Sequence, residues 1–361
     1  MKKIHLLLLT VLCVSITYGQ SAEVVVAGSQ TKKIVSSIIK GQEYVLQIST
    51  PAGYDKTSEK YPVVYLMDSQ WDFPLLTALY GEQYFDGFIP ELIIVGITWG
   101  GEHPNPDSLR ARDYTPTKDM RLPQSGGADQ FLSVIKNEVF PFVENHYRVN
   151  AKDRTLTGCS LGGLFSLYTL FTHSDMFSRY IAASPAYSWD KYVLNQYEEQ
   201  YHNNSSRTPA KLFMCVGGVE LSAPGFEDFA SDLKNRHYQN LEIESCALDN
   251  TGHSGTKGEG YARGLQFVFK RPSLSFSSKT VQQYEGDYKL EDGTMIDIKM
   301  KNDSLVASVG KSVYPLYSAS ETDFYATCSF FKLYFLKNDK NIVRGFLLSR
   351  YGSNAVATKV D

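Results

Sequence analysis

A chain of 361 residues, 43% hydrophobic and 21% charged, is long enough for one large domain or two and is composed like an ordinary globular protein. Its net charge of −3, with basic residues scattered along the chain, excludes the electrostatic footprint of a nucleic-acid binder. The five cysteines show no CxxC or zinc spacing, and neither a metal nor an organic cofactor is expected for the chemistry read below.

The N-terminal stretch MKKIHLLLLTVLCVSITYGQS carries Lys2 and Lys3, then an apolar run from Leu6 to Ile16, then Tyr18-Gly19. This is the pattern of a secretory signal peptide over residues 1–19, and the run is too short to span a bilayer. Export to the periplasm or beyond is expected, with cleavage after Gly19. A lipid anchor at Cys13 would want a small residue where Leu12 stands. No other segment approaches a transmembrane length.

Residues 32–51, KKIVSSIIKGQEYVLQISTP, read as two strands joined through Gly41. Further strands are expected at 61–68, 91–99, 154–158, 178–184, 210–218 and 241–249, several of them continuous apolar runs of the kind covered on both faces. Helical stretches fall between them at 128–147, 161–173, 189–201, 226–238 and 258–270. In the first of these, Phe131, Val134, Ile135 and Val139 recur at helical spacing. Strands alternating with helices predict an α/β domain over 20–272, a mostly parallel sheet with helices on both faces. A Pro- and Ser-containing joint, 273–280, leads into 281–361, where short β-like runs alternate with turns such as Asp292-Gly293, Asn302-Asp303 and Asn338-Asp339. That region is expected to form a small all-β domain of about eight strands, a sandwich or barrel. It holds no histidine. Cys215 and Cys246 sit inside strand-like runs, where buried free thiols are expected.

The chemistry gathers around Gly158-Cys159-Ser160-Leu161-Gly162, a G-x-S-x-G pattern between a strand and a helix. A serine at such a sharp turn projects its hydroxyl, and the flanking glycines leave room for close backbone approach. A base is needed. His146, His173, His202 and His237 fall in or at the ends of helical stretches, and His103 lies in a loop before the nucleophile. His253, in DNTGHSG after the last sheet strand, can reach the C-terminal edge of the sheet where Ser160 points. The acid that orients the imidazole should lie between the two in sequence. Glu220, directly after the strand 210–218, is the first choice, with Glu227 and Asp228 on the following helix as competitors. Asp249 is too close in sequence to His253 to reach round it. The N–H groups of Leu161 and Gln70, the latter in YLMDSQWDF, are the expected oxyanion donors.

The stretch 40–271 resembles the esterase branch of the α/β-hydrolases, which includes siderophore trilactone, feruloyl and acetyl-xylan esterases, S-formylglutathione hydrolase and mycolyl transferases. The resemblance is carried by YPVVYLMDSQWDF, RARDYTP at 110–116, the long block 158–190 around Ser160, VGGVE at 216–220 and GHSG at 252–255. It looks closest to the trilactone-esterase-like subgroup, where His often stands in place of Cys159. The resemblance implies an α/β-hydrolase sheet, Ser160 as nucleophile, His253 as base and Glu220 as acid. It also implies that Arg110 and Arg112 lie in a loop lining the substrate cleft, near Trp71, Tyr187 and Trp189. The typical trilactone esterase lacks the C-terminal β-domain. The expected activity is that of an exported serine carboxylic-ester hydrolase on siderophore lactones or on acetyl and feruloyl esters of carbohydrate. The competing readings are an acyltransferase and a carbohydrate- or surface-binding protein that keeps the fold without turnover.

Overall fold

In a computed structural model the described residues are 25–56, 58–204, 208–271, 273–301, 304–327, 331–350 and 353–360. The expected signal segment, Cys13, the Asn302-Asp303 turn and Cys328 lie outside them. Eight strands form the larger sheet: β1 (Ser29–Val35), β2 (Glu43–Ser49), β3 (Tyr61–Leu66), β4 (Ile93–Trp99), β5 (Val149–Cys159), β6 (Arg179–Ala183), β7 (Ala210–Gly217) and β8 (Leu241–Leu248). Their spatial order is β1-β2-β4-β3-β5-β6-β7-β8; the first three pair antiparallel and all others parallel. The central strands are buried on both faces, as their unbroken apolar runs require.

Helices α1 (Ser69–Phe85), α2 (Pro106–Tyr114), α3 (Ala128–Val134), α4 (Phe140–His146), α5 (Leu161–Thr172), α6 (Leu194–Asn203), α7 (Ala223–Asn235) and α8 (Thr256–Val268) cover the sheet. One apolar core, with Phe73 and Leu76 of α1 and Tyr261 and Leu265 of α8, lies on one face. The other core holds Tyr114, Phe131, Phe165, Leu194 and Phe229 from α2, α3, α5, α6 and α7. The expected helix at 128–147 is interrupted by a π-helical turn, Ile135–Val139. Pro141 explains it: proline cannot donate to the carbonyl one turn back and its ring crowds that carbonyl, so the ladder widens locally. The helix expected at 189–201 starts later because Asp190, Lys191 and Tyr192 all hold positive φ, at 41°, 56° and 63°.

Beyond α9 (Ser278–Gln282) the chain forms a closed antiparallel barrel. Its strands are β9 (Gly286–Leu290), β10 (Met295–Lys301), β11 (Ser304–Val309), β12 (Ser312–Ser318), β13 (Asp323–Ala326), β14 (Phe331–Lys337), β15 (Val343–Arg350) and β16 (Ser353–Lys359), with β16 closing on β9. The stretch read as a joint already touches the barrel, Leu274 N–H donating to the Ser318 carbonyl at 2.8 Å. The barrel meets the sheet domain through Lys332 Nζ and Glu91 (3.4 Å) and the Arg271 guanidinium over the Tyr325 ring (5.0 Å). Glu91 lies just before β4, so this contact is at the edge of the sheet where parallel strands begin. Ser160, Glu220 and His253 all follow strand C-termini, at the opposite edge. Among the described residues no helix is long and apolar enough to cross a membrane.

Candidate active site

Ser160 joins β5 to α5 with φ 60° and ψ −117°, a conformation L-residues avoid at a cost of about 1–3 kcal/mol. The surrounding backbone imposes it. Ser160 N–H donates to Ala183 O (3.0 Å), and the Ser160 carbonyl accepts from Leu164 (2.9 Å) and Ala186 (2.9 Å). A Cβ on Gly158 would sit 2.7 Å from the carbonyl carbon of Gly162, so this turn closes only with glycine there. On the other side, a Cβ on Gly162 would lie 3.2 Å from Cβ of Met67, which puts the 67–70 loop directly against the elbow.

Glu220 stands in the turn after β7, its side chain only 10% exposed. One carboxylate oxygen, Oε1, accepts from Ser184 Oγ (2.5 Å) and from Gly217 N–H (2.8 Å); Oε2 meets His253 Nδ1 at 2.7 Å. Burial raises its pKa, but the hydrogen bonds from Ser184, His253 and Gly217 outweigh burial and hold the carboxyl below the usual glutamate range. The acid and histidine loops are also tied through their backbones, Gly218 N–H to Leu248 O (2.8 Å) and Val219 N–H to Thr251 O (3.2 Å). Gly217 again allows the approach, since a Cβ there would fall 2.3 Å from Thr251 O. Glu227 and Asp228 are exposed on α7, and Asp249 is exposed at the end of β8.

Two residues without a sequence signal complete the frame. Ser184, at φ 36°, is joined to Thr256 Oγ1 (2.7 Å) as well as to Glu220. Thr256, fully buried at the start of α8, in turn bonds the His253 carbonyl. The segment 183–186 thus contacts both the serine elbow and the acid–histidine pair. Leu161 and Gln70 occupy the first turns of α5 and α1, where backbone N–H groups have no intrahelical partner and are free to meet an anion. Cys159 is no rival nucleophile: burial pushes its thiol up to about 12. Cys159, Cys215 and Cys246 are free thiols.

The cleft residues divide. Arg110 and Arg112 lie on α2, not in a loop. Asn105 caps that helix by accepting from Ser108 N–H (3.1 Å), and Pro106 starts it; few apolar positions announce it in the sequence. Arg110 grips Asp68 with two bonds (3.1 and 2.7 Å), and Asp68 N–H meets the Tyr114 hydroxyl (3.0 Å), which anchors the loop bearing Gln70. Burial works against the Arg110 charge and the Asp68 carboxylate more than restores it. Arg112 departs from the expected role. All three of its nitrogens are engaged within the fold, by Asp113 (2.6 and 3.0 Å), Gln42 (3.0 Å) and Tyr44 (3.3 Å). Tyr187 is likewise buried, its ring stacked on Phe229 (centroids 4.5 Å) and its hydroxyl on Asn195 (2.9 Å). Trp189 is half-buried, donating to Thr117 Oγ1 (3.1 Å). Trp71 is 49% exposed, with the Arg110 guanidinium 5.6 Å and the Lys257 ammonium 6.0 Å from its ring. Lys257 is held by the buried Asp72 (2.7 Å).

The family model for esterases, described as "Putative esterase", matches residues 36–218. The ferri-bacillibactin esterase BesA of Bacillus subtilis is 29% identical over 271 residues, covering 69% of this chain and 92% of that protein. A siderophore triacetylfusarinine C esterase of Aspergillus fumigatus is 33% identical over 223 residues, 58% of this chain and 76% of the relative. Among solved structures, the BES protein of Bacillus cereus aligns with a TM-score of 0.62 at 25% identity, covering 68% of this chain and 98% of that one. An IroE-like serine hydrolase of Shewanella oneidensis aligns at 0.61 and 28%, covering 70% and 84%. With more than half its length inside the family model and a mostly parallel sheet that carries a serine at a strand-to-helix elbow, the chain belongs to the esterase family and is a serine esterase of the α/β-hydrolase fold.

Proposed function

We propose that this protein is an exported siderophore esterase that works through Ser160, His253 and Glu220 and an acyl-enzyme. The observation that carries the reading is the 2.7 Å contact of Glu220 Oε2 with His253 Nδ1 at the sheet edge where Ser160 is presented. With Nδ1–H given to the carboxylate, the imidazole keeps Nε2 unprotonated as a base. It takes the Ser160 proton while Oγ adds to the ester carbonyl, and the carbonyl electron pair moves onto oxygen. The N–H groups of Leu161 and Gln70 receive that oxyanion. Collapse breaks the bond to the alkoxide, which leaves with the proton from His253. Water then repeats the sequence on the acyl-enzyme, and Ser160 leaves with its proton restored.

The substrate class is drawn from the relatives named for siderophore esters and from the rim. Trp71, half exposed beside the loop bearing Gln70, offers a face to an aromatic ring, while the Arg110 and Lys257 charges next to it are balanced by Asp68 and Asp72. An aryl ester suits that exposed ring better than an acetylated sugar does. Export rests on the signal pattern of residues 1–19.

The test is a panel of esters. A catecholate trilactone, acetylated xylo-oligosaccharide and feruloylated xylo-oligosaccharide are compared by kcat/KM, with and without iron on the trilactone. A preference for the trilactone is the expected result. Preference for either carbohydrate ester would move the substrate assignment, and acyl transfer to an added alcohol in excess over hydrolysis would make the protein a transferase.

A further inference from the structure

Among its described residues the C-terminal barrel is solid at one end and hollow at the other. At the end where β9 and β15 start, Tyr284, Tyr288, Phe335 and Phe346 pack ring on ring, with Tyr284–Phe335 centroids 4.4 Å apart and Tyr288–Phe346 4.9 Å. Tyr284 seals that end by donating to the Glu321 carbonyl (2.6 Å). At the other end, where β9, β11 and β15 finish and β10, β12 and β14 begin, a cavity of about 280 Å³ remains. An eight-stranded barrel has an interior that its side chains can fill or that can hold one small ligand. Here, among the described residues, the filling stops halfway. Water over the apolar walls gains few hydrogen bonds, and an apolar group that displaces it gains affinity.

The lining indicates what belongs there. Ile296, Ala307 and Leu333 supply aliphatic walls. Tyr314 and Phe331 also line it, perpendicular to each other at 89° with centroids 5.2 Å apart. Such a corner offers ring contacts to a third aromatic group. The rim is polar. Asp292 is fixed by accepting from Thr294 N–H (2.9 Å), and Arg350 stands with it at the cavity edge. A space of about 280 Å³ falls just under the usual range of ligand pockets, which suits a small molecule the size of one substituted ring and not a trilactone.

We propose that the hollow end of the barrel is a binding site for one small amphipathic aromatic molecule, its ring against Tyr314 and Phe331 and its polar end at the rim beside Asp292 and Arg350. The family match, residues 36–218, ends before this domain, and the site does not depend on which ester the sheet domain cleaves.

Ferulate is the probe, titrated calorimetrically into full-length protein whose serine site has first been blocked with a fluorophosphonate, with decanoate as comparator. The expected result is saturable one-to-one ferulate binding, at least tenfold tighter than decanoate. Ala307→Trp, which fills the cavity, should weaken ferulate at least tenfold while p-nitrophenyl acetate hydrolysis by the unblocked variant stays within twofold of wild type. Absence of saturable binding to the blocked protein, equal or tighter decanoate binding, or ferulate binding that Ala307→Trp leaves unchanged would each overturn the proposal. Should Ala307→Trp fail to fold, photolabelling of the blocked wild type with a diazirine-bearing benzyl alcohol decides it. Label within 290–350 supports the site, and label only elsewhere overturns it.

Discussion

The two domains of this chain differ in where they tolerate conformational strain. Among the described residues nine non-glycine positions hold positive φ, and eight of them, from Asp68 to Asn250, belong to the sheet domain; the barrel has Asn341 alone. Asp68, Ser160, Ser184 and Asn250 each lie within two residues of the C-terminal end of a parallel strand of the sheet, at the edge that carries the candidate site. The barrel spends its sequence on regular pairing and aromatic filling, and where it is incomplete it is hollow, not strained. Strain held by surrounding hydrogen bonds accompanies the residues proposed for chemistry, and an unfilled interior accompanies the proposed binding.

The largest effect that could break this comparison lies at the elbow. Ser160→Ala should lower kcat/KM for p-nitrophenyl acetate by about 10⁴-fold or more, with an unchanged fold by circular dichroism. Activity within tenfold of wild type would remove the strained serine from the chemistry. Glu220→Gln should cost about 10²- to 10⁴-fold in kcat, while Glu227→Ala stays near wild type. The same variant tests the electrostatics. Because the folded Glu220 carboxyl titrates below its ordinary 4.5, its contribution to stability is fully present above that value and is lost as pH falls through the lowered one. Thermal melts of Glu220→Gln should therefore show a weaker loss of Tm across that acid window than wild type.

Gly158→Ala sharpens the steric side. Its methyl would overlap the Gly162 backbone, so a loss of about 1–3 kcal/mol in stability is expected together with loss of activity. Neutral behaviour in a denaturation series would show that the elbow has slack. Ser184→Ala should be milder, about 5- to 10-fold in kcat with KM unchanged, from one lost hydrogen bond to a carboxylate. Since that bond favours the charged carboxyl, the acid limb of the kcat–pH profile should also move upward in pH, which a merely structural role would not produce. Smallest of all, Lys332→Ala at the domain contact should change stability by about 0–1 kcal/mol and leave turnover unaffected, because the barrel docks at the edge of the sheet away from the site.

Much of this was legible in the residues. The apolar runs of the parallel strands, the glycine-bracketed Ser160 and a histidine loop after the last strand all follow from local sequence, since burial and tight turns restrict composition there. The eight-stranded C-terminal domain was readable from its turn spacing, though not its closure into a barrel or its cavity, which depend on pairing between β9 and β16. Helix α2 was hidden because PDSLRARDY has few apolar positions and is held by partners distant in sequence, Asp68 on Arg110 and Tyr44 and Trp99 on Asp113. Ser184 and Thr256 carry no signal, as a lone hydroxyl residue is common anywhere and only the fold brings these two to Glu220 and the His253 loop. The two arginines expected at the cleft illustrate the same limit: Arg110 and Arg112 are two residues apart, yet one holds the loop bearing Gln70 and the other joins a buried network behind it.

The central claim is that Ser160 is the nucleophile activated by the His253–Glu220 pair. Fluorophosphonate labelling followed by peptide mass spectrometry tests it directly. The account predicts stoichiometric label on Ser160, with the labelling rate lowered at least 10²-fold in His253→Ala. Label on another residue, or labelling of Ser160 at an unchanged rate in His253→Ala, would contradict it.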